Sequence, residues 1–156
     1  MTTANNVTRL LDAKKIPYTA FELPKEKLSA LEVAAMLMLA PETVYKTIVL
    51  ERGKSGKFIL AVVPATSSVS QKKVARSLNE KKVSVTTQRG AERVTGLQAG
   101  GISPLALQNK GFQVLVDTSA LSVVKICISG GQRGLQIQLH VKDLLNITGG
   151  RIAEIV

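Results

Sequence analysis

Lys46 sits inside "VYKTIVL", residues 44–50, where an ammonium group is set among Val44, Ile48 and Leu50. Burying an unpaired charge is costly. A lysine in such a run therefore either snorkels along its stem to water or points into a cleft where it holds a carbonyl, carboxylate or phosphate. On a strand's period of two, Val44, Lys46, Ile48 and Leu50 share one face, and Tyr45, Thr47 and Val49 share the other. Two glycine-rich stretches could complete such a cleft. In "AGGISP", residues 99–104, Gly100 and Gly101 permit close backbone approach and amides turned toward an anion or developing oxyanion. Ser103 adds a hydroxyl there, and Pro104 stiffens the exit; the same composition also makes an ordinary turn. In "SGGQRG", residues 129–134, Arg133 either clamps a phosphate or carboxylate or solvates the turn. Neither stretch has P-loop or GxGxxG spacing, which argues against ATP, GTP and dinucleotide cofactors.

Hydrolytic side-chain machinery is hard to assemble from this chain. His140 is the only histidine and Cys127 the only cysteine. Cys127 lies in the apolar run "VVKICIS" and reads as a buried, inert thiol, while Ser103 has no base except distant His140. A catalyst built here would rely on positioned dipoles, Lys46 and groups of the substrate itself. No cofactor or metal is expected, and no disulfide can form within the chain.

The chain has 21 Lys and Arg against 11 Asp and Glu, a formal net charge of +10, which favours polyanionic partners. Lys72, Lys73, Arg76, Lys81, Lys82, Arg89 and Arg93 face only Glu80 and Glu92 between residues 71 and 93. A helix carrying Lys72, Lys73 and Arg76 could track an RNA backbone or simply be a solvated face. Aromatic content is 3%, with no tryptophan, so base stacking along a single strand is not the expected mode.

The elements that must position these groups follow from pattern. Asn5 or Asn6 can cap a short helix through Val7, Leu10 and Leu11. Ser29 and Glu32 have capping-box spacing, with Leu28 and Val33 as the staple, and the helix they start is apolar enough to be expected well buried. "TVYKTIVLERGKSGKFILAVVP" reads as a hairpin turning around Gly53 and Gly56. "YTAFEL", "VSVT", "FQVLVD", "VVKICIS" and "RGLQIQL" read as strands, and "SSVSQKKVARSLNEKK", "TTQRGAERVTG" and "HVKDLLNIT" carry helical segments. "LQAGGISPLALQNKG" is loop for much of its length, and "GGRIAEIV" is a terminal strand or tail. Without a linker, repeat or membrane-length apolar run, residues 1–156 are expected to form a single soluble, cytoplasmic domain with no membrane contact. Helices do not follow every strand, so an α/β domain of α+β character is expected.

"VYKTIV", "GLQAGGISPLAL" and "ISGGQRGLQI", in this order and at these separations, resemble the bacterial YbaK/EbsC family, the Cys-tRNA(Pro) deacylases related to the editing domain inserted in some prolyl-tRNA synthetases. The resemblance covers the chain from the first helix to about residue 146. It implies one compact domain around a mixed, partly barrel-like β-sheet with flanking short helices. It also implies trans-editing: cleavage of the ester joining a wrong amino acid to the 3′ end of tRNA, with release of the free amino acid or a thiolactone. Mischarged tRNA(Pro) is the implied partner, with prolyl-tRNA synthetase a further one. Lys46 matches the lysine of the family's aminoacyl-adenosine pocket. Gly100, Gly101, Ile102, Ser103 and Pro104 match its glycine loop, while Ser129, Gly130, Gly131, Arg133 and Gly134 match its later turn. Lys46 would orient the aminoacyl end, the Gly100 and Gly101 amides would support the carbonyl oxygen, and the substrate's own thiol would attack. Leu97, Ala106 and Gln138 differ from the family pattern, with Leu97 expected beside the pocket. A noncatalytic tRNA- or synthetase-binding module is the other class of function compatible with the basic 71–93 segment.

Overall fold

The computed structural model describes residues 4–53 and 56–156. Asn5 caps α1 (Asn6–Ala13): its side chain accepts from the Thr8 amide while Thr8 Oγ1 accepts from the Asn5 amide at 2.8 Å. β1 (Tyr18–Glu22) follows, then α2 (Ala30–Leu37), which starts on the expected Ser29–Glu32 capping box. A 3-10 turn at Pro41–Thr43 leads into β2 (Tyr45–Arg52), which pairs antiparallel with β3 (Lys57–Pro64) as the expected hairpin. Lys54 and Ser55 of its turn lie outside the described residues. α3 (Gln71–Ser77), β4 (Val83–Val85) and α4 (Gln88–Thr95) carry the basic stretch. Beyond the glycine loop and a 3-10 turn at Pro104–Ala106 come β5 (Gln113–Asp117), the short α5 (Ala120–Val123), β6 (Lys125–Ser129), β7 (Leu135–His140), α6 (Val141–Thr148) and β8 (Arg151–Ala153).

The strands form two sheets, an antiparallel β1-β7-β6 and a mixed β4-β2-β3-β5-β8 in which β3, β5 and β8 run parallel. Among the described residues one parallel bridge, Val44 to Cys127, joins them. The result is an α+β arrangement with a mixed sheet and flanking helices, and among the described residues its pairings form two open sheets. The β2–β3 centre of the larger sheet is covered on both sides, which is why "KFILAVVP" is an almost unbroken apolar run. Tyr45, Val49, Leu60, Val62, Val114 and Val116 pack with α1, α6 and the smaller sheet. Leu50, Ile59, Ala61, Val63 and Leu115 pack against Val74 and Ala75 of α3, its C-cap Leu78, and Ile155.

α2 departs from expectation. Only Val33 and Ala34 of the helix are buried, while Leu31 and Met36 are about half exposed and Met38, its left-handed C-cap, is 92% exposed. An apolar composition without a strong stripe could not indicate that this helix lies along a rim, with one narrow side on the core.

Candidate active site

A cavity of about 380 Å³ opens beside the first half of β2, bounded by residues 28–33, the 85–88 connection with Ala91 of α4, the glycine loop, and the facing ends of β6 and β7. Its position follows from strand geometry. The Ala65 amide donates to the Val44 carbonyl at 2.8 Å, so by alternation the backbone groups of Val44, Lys46 and Ile48 face β3. Those of Tyr45, Thr47 and Val49 face the opposite edge, where the Val49 carbonyl accepts from Thr86 at 3.0 Å. Pro64 opposite Tyr45 is compatible with this register, because that pair exchanges no hydrogen bonds. β4 pairs only with Leu50–Arg52 and the bridge to β6 is at Val44, so among the described residues the Thr47 amide and carbonyl lie on an unpaired stretch of edge that borders the cavity.

Two side chains on this stretch have unmet bonding capacity. Lys46 is half-buried on the cavity wall, and among the described residues its ammonium makes no hydrogen bond or ion pair. Thr47 Oγ1 is buried and is the one such side-chain atom without a hydrogen-bond partner among the described residues. The two project to opposite faces of the strand, and orphaned polar groups cost free energy when buried, so their presence on either side of this open edge points to a polar ligand beside it. The cavity's other polar side chains include Ser129 and the buried Gln136. Among the described residues its lining contains neither carboxylate nor histidine, and Lys46 is its one formal charge.

Of the glycine loop, Gly100 and Ile102 line the cavity, whereas Gly101, Ser103 and Pro104 stand behind it. The Gly101 amide donates to the Gln98 carbonyl at 2.8 Å, so it closes the loop and is not free for a substrate oxygen. Gly100, at φ +87°, keeps its amide uncommitted among the described residues. Among the described residues, the uncommitted amides beside the cavity are those of Gly100 and, on the open β2 edge, Thr47. Ser103, fully buried, accepts from the Leu105 amide at 3.2 Å and caps the 3-10 turn that starts at Pro104.

The later turn braces that loop. Arg133 Nε donates to the Ala99 carbonyl at 2.7 Å, so Arg133 clamps the loop from behind and does not line the cavity. Asn5 Nδ2 donates to the Gly130 carbonyl at 2.9 Å and to Gln132 Oε1 at 3.1 Å, tying the turn to the α1 cap. Gly130 and Gly131 sit behind the site, packed toward Leu135 and Ala106 respectively. Ser129 is the residue of this turn that reaches the cavity, and its Oγ accepts from the Gly131 amide at 3.3 Å.

Cys127 is fully buried, and burial pushes its thiol up to about 12. It lies beneath Gln136, with Sγ 4.0 Å from Oε1, and is no nucleophile. Iodoacetamide at pH 8 is therefore expected to leave Cys127 unlabelled in the folded protein while labelling it in urea. Because the folded thiol ionises later than an unfolded one near 9.0, its stabilisation is complete below that pH and is lost as pH rises toward about 12. The stability difference between wild type and Cys127→Ala should shrink over that interval, by up to ~1.4 kcal/mol per pH unit. A pH-independent difference in urea midpoints would contradict it.

Leu97 packs into the main core and is not on the cavity wall, contrary to expectation. Gln136 is the β7 residue that enters the site, while Gln138 does not line it. The sequence carried a signal for this: the alternation of Leu135, Ile137 and Leu139 with Gln136, Gln138 and His140. In the basic segment, Lys73 Nζ is held by Glu154 Oε1 at 2.9 Å and the Val156 carbonyl at 2.6 Å. Lys72 and Arg76 remain exposed on α3, whose first residue, Gln71, accepts from the Val85 amide at the cavity rim at 2.9 Å.

Comparison with known proteins places this geometry. Residues 25–147 match the model of the aminoacyl-tRNA editing domain. A protein of Enterococcus faecalis (strain ATCC 700802 / V583), provisionally named Cys-tRNA(Pro)/Cys-tRNA(Cys) deacylase EbsC, is 33% identical over 152 residues, covering 96% of this chain and 92% of that one. The crystal structure of a hypothetical protein shares the fold with a TM-score of 0.87 at 20% identity, over 97% of this chain and 99% of the other. Another, provisionally described as a trans-editing enzyme for prolyl-tRNA synthetase, matches with a TM-score of 0.80 at 21% identity, over 99% and 98% of the two chains. The chain belongs to the aminoacyl-tRNA editing domain family, in its YbaK/EbsC-like branch, whose work is cleavage of the ester that joins a wrong amino acid to tRNA.

Proposed function

We propose that the chain is a trans-editing deacylase acting on Cys-tRNA(Pro), with the cysteinyl thiol of the substrate as the nucleophile. The observation that carries this reading is a cavity with an unpaired cation and orphaned donors but no side-chain nucleophile–base pair. The aminoacyl-adenosine end would lie along the open edge of β2. Lys46 would neutralise and orient it, and the Thr47 and Gly100 amides would face the carbonyl oxygen as it gains charge. The thiol gives up its proton to solvent, and the sulfur bonds to the carbonyl carbon. The bond to the ribose oxygen then breaks, and that oxygen takes a proton from water. The thiolactone so released is opened by water to free cysteine. Ile102 and Ser129 would fix the amino-acid side chain, and Ser103, Pro104, Gly101, Gly130, Gly131 and Arg133 would hold the loops that carry the site. Lys72 and Arg76 would contact the tRNA backbone, with Lys73 kept in its contact with Glu154.

A panel of mischarged tRNA(Pro) tests this reading. Release should be fastest from Cys-tRNA(Pro) and at least ~10-fold slower from Ser- and Ala-tRNA(Pro), which lack a thiol of comparable nucleophilicity. Equal release from all three would overturn thiol participation. No release above the uncatalysed rate from any would favour a noncatalytic tRNA-binding module.

A further inference from the structure

A second cavity, of about 640 Å³, lies at the other end of α4. Phe58 and Phe112 line it with ring centroids 6.5 Å apart, and both rings are only half-buried. Arg93 and Lys110, exposed and without ion-pair partners among the described residues, stand on its wall, and no carboxylate does. Gly96 and Gly111 flank open space. Aromatic faces beside unpaired cations suit a ring carrying an anion, which is the chemistry of a nucleotide.

Placement relates the two cavities. Glu51 opposes Phe58 and Thr47 opposes Val62 across the hairpin, so the Thr47 and Phe58 side chains share one face of the β2–β3 pair. Four residues along β3 separate Val62 from Phe58, about 13 Å at a strand's rise. α4 spans the same gap, since Gln88 and Ala91 border the first cavity and Arg93, Val94 and Thr95 border the second. Arg89 and Arg93, exposed and four apart, lie on one side of that helix and form a basic path between the two. Glu92 is turned inward to the Ala99 amide at 2.8 Å and does not interrupt it.

We propose that the second cavity is a nucleotide subsite holding an upstream nucleotide of the single-stranded RNA 3′ end whose terminal aminoacyl-adenosine occupies the first. The proposal rests on the deacylase reading and names how its RNA is gripped: one base against Phe58 and Phe112, its phosphates along Arg89, Arg93 and Lys110. Stacking at this one position accommodates the low aromatic content, which argued against stacking along a whole strand.

Two substrates separate the sites: the cysteinyl ester of adenosine, which reaches only the first cavity, and cysteinyl-CCA trinucleotide, long enough for both. The Arg93→Ala/Lys110→Ala double variant should lose ~10-fold in kcat/KM on the trinucleotide and stay within twofold of wild type on the adenosine ester. Phe112→Leu, which keeps the core filled but removes the ring, should show the same split. Equal losses on both substrates, or no loss on the trinucleotide, would overturn the proposal. Saturating cytidine 5′-monophosphate should leave cleavage of the adenosine ester unchanged; a change would mark an effector site for free nucleotides and also overturn it. Should wild type cleave neither substrate and leave Cys-tRNA(Pro) intact as well, the deacylase reading fails by itself. The subsite is then decided by anisotropy of fluorescein-labelled, uncharged CCA: ~10-fold weaker binding to the double variant supports it, and unchanged binding refutes it.

Discussion

Lys46→Ala is expected to lower kcat for deacylation of Cys-tRNA(Pro) by ~10²–10³, the loss typical when one preorganised electrostatic group is removed from a reacting carbonyl. The fold should survive. The Lys46 ammonium has no partner among the described residues, so its removal breaks no ion pair and relieves a half-buried charge. Circular dichroism and thermal midpoint should stay at or slightly above wild-type values. Lys46→Arg should recover little activity, because a planar guanidinium carries its charge differently and needs more room than a compact ammonium. A kcat within threefold of wild type for Lys46→Ala would remove Lys46 from the chemistry, and a matching rise in KM alone would reduce it to uniform binding.

Gly101→Ala carries the second large effect, for a different reason. A Cβ at Gly101 would lie 2.9 Å from the Gln132 Cα and 3.0 Å from the Arg133 nitrogen, both backbone atoms. The glycine loop and the later turn must then separate, which strains the Arg133 clamp on the Ala99 carbonyl and moves Gly100 and Ile102 on the cavity wall. Overpacking of this kind costs ~1–3 kcal/mol in stability. A displacement of about 1 Å in a positioning loop can lower activity by up to ~100-fold. Urea unfolding and single-turnover deacylation should both register the change. Unaltered stability together with unaltered rate would show that the two loops do not depend on this contact. Gly149→Ala provides the contrast: nothing lies within 4 Å of a Cβ there and it lines neither cavity, so activity should be unaffected, although its φ of +67° makes some loss of stability expected.

What the sequence revealed was periodic or local. The period of two around Lys46 correctly separated the Lys46 face from the Thr47 face, and the Ser29–Glu32 box marked the start of α2. Those features are set by neighbouring residues. The division of labour within the glycine motifs was not legible, because Gly100 and Gly101 are adjacent and chemically identical. Only the turn back to Gln98 and the approach of Gln132 distinguish an amide facing the cavity from one buried behind it. For Arg133 the sequence left anion binding and solvation of the turn both open, and only the fold shows its Nε committed to the Ala99 carbonyl. Thr47 gave no local signal at all. The edge beside it is open because β4 pairs only beyond Val49 and the bridge to β6 is at Val44, a property of strand pairings distant in sequence.

The most direct measurement compares single-turnover deacylation of Cys-tRNA(Pro) with that of S-methyl-Cys-tRNA(Pro), a substrate of nearly the same shape whose sulfur cannot supply a thiolate. Substrate-assisted cleavage in a cavity with no nucleophile–base pair of its own predicts that methylation reduces the rate at least ~10²-fold while the tRNA still binds. Equal rates for the two substrates would contradict the account and require an attacking water activated by the protein.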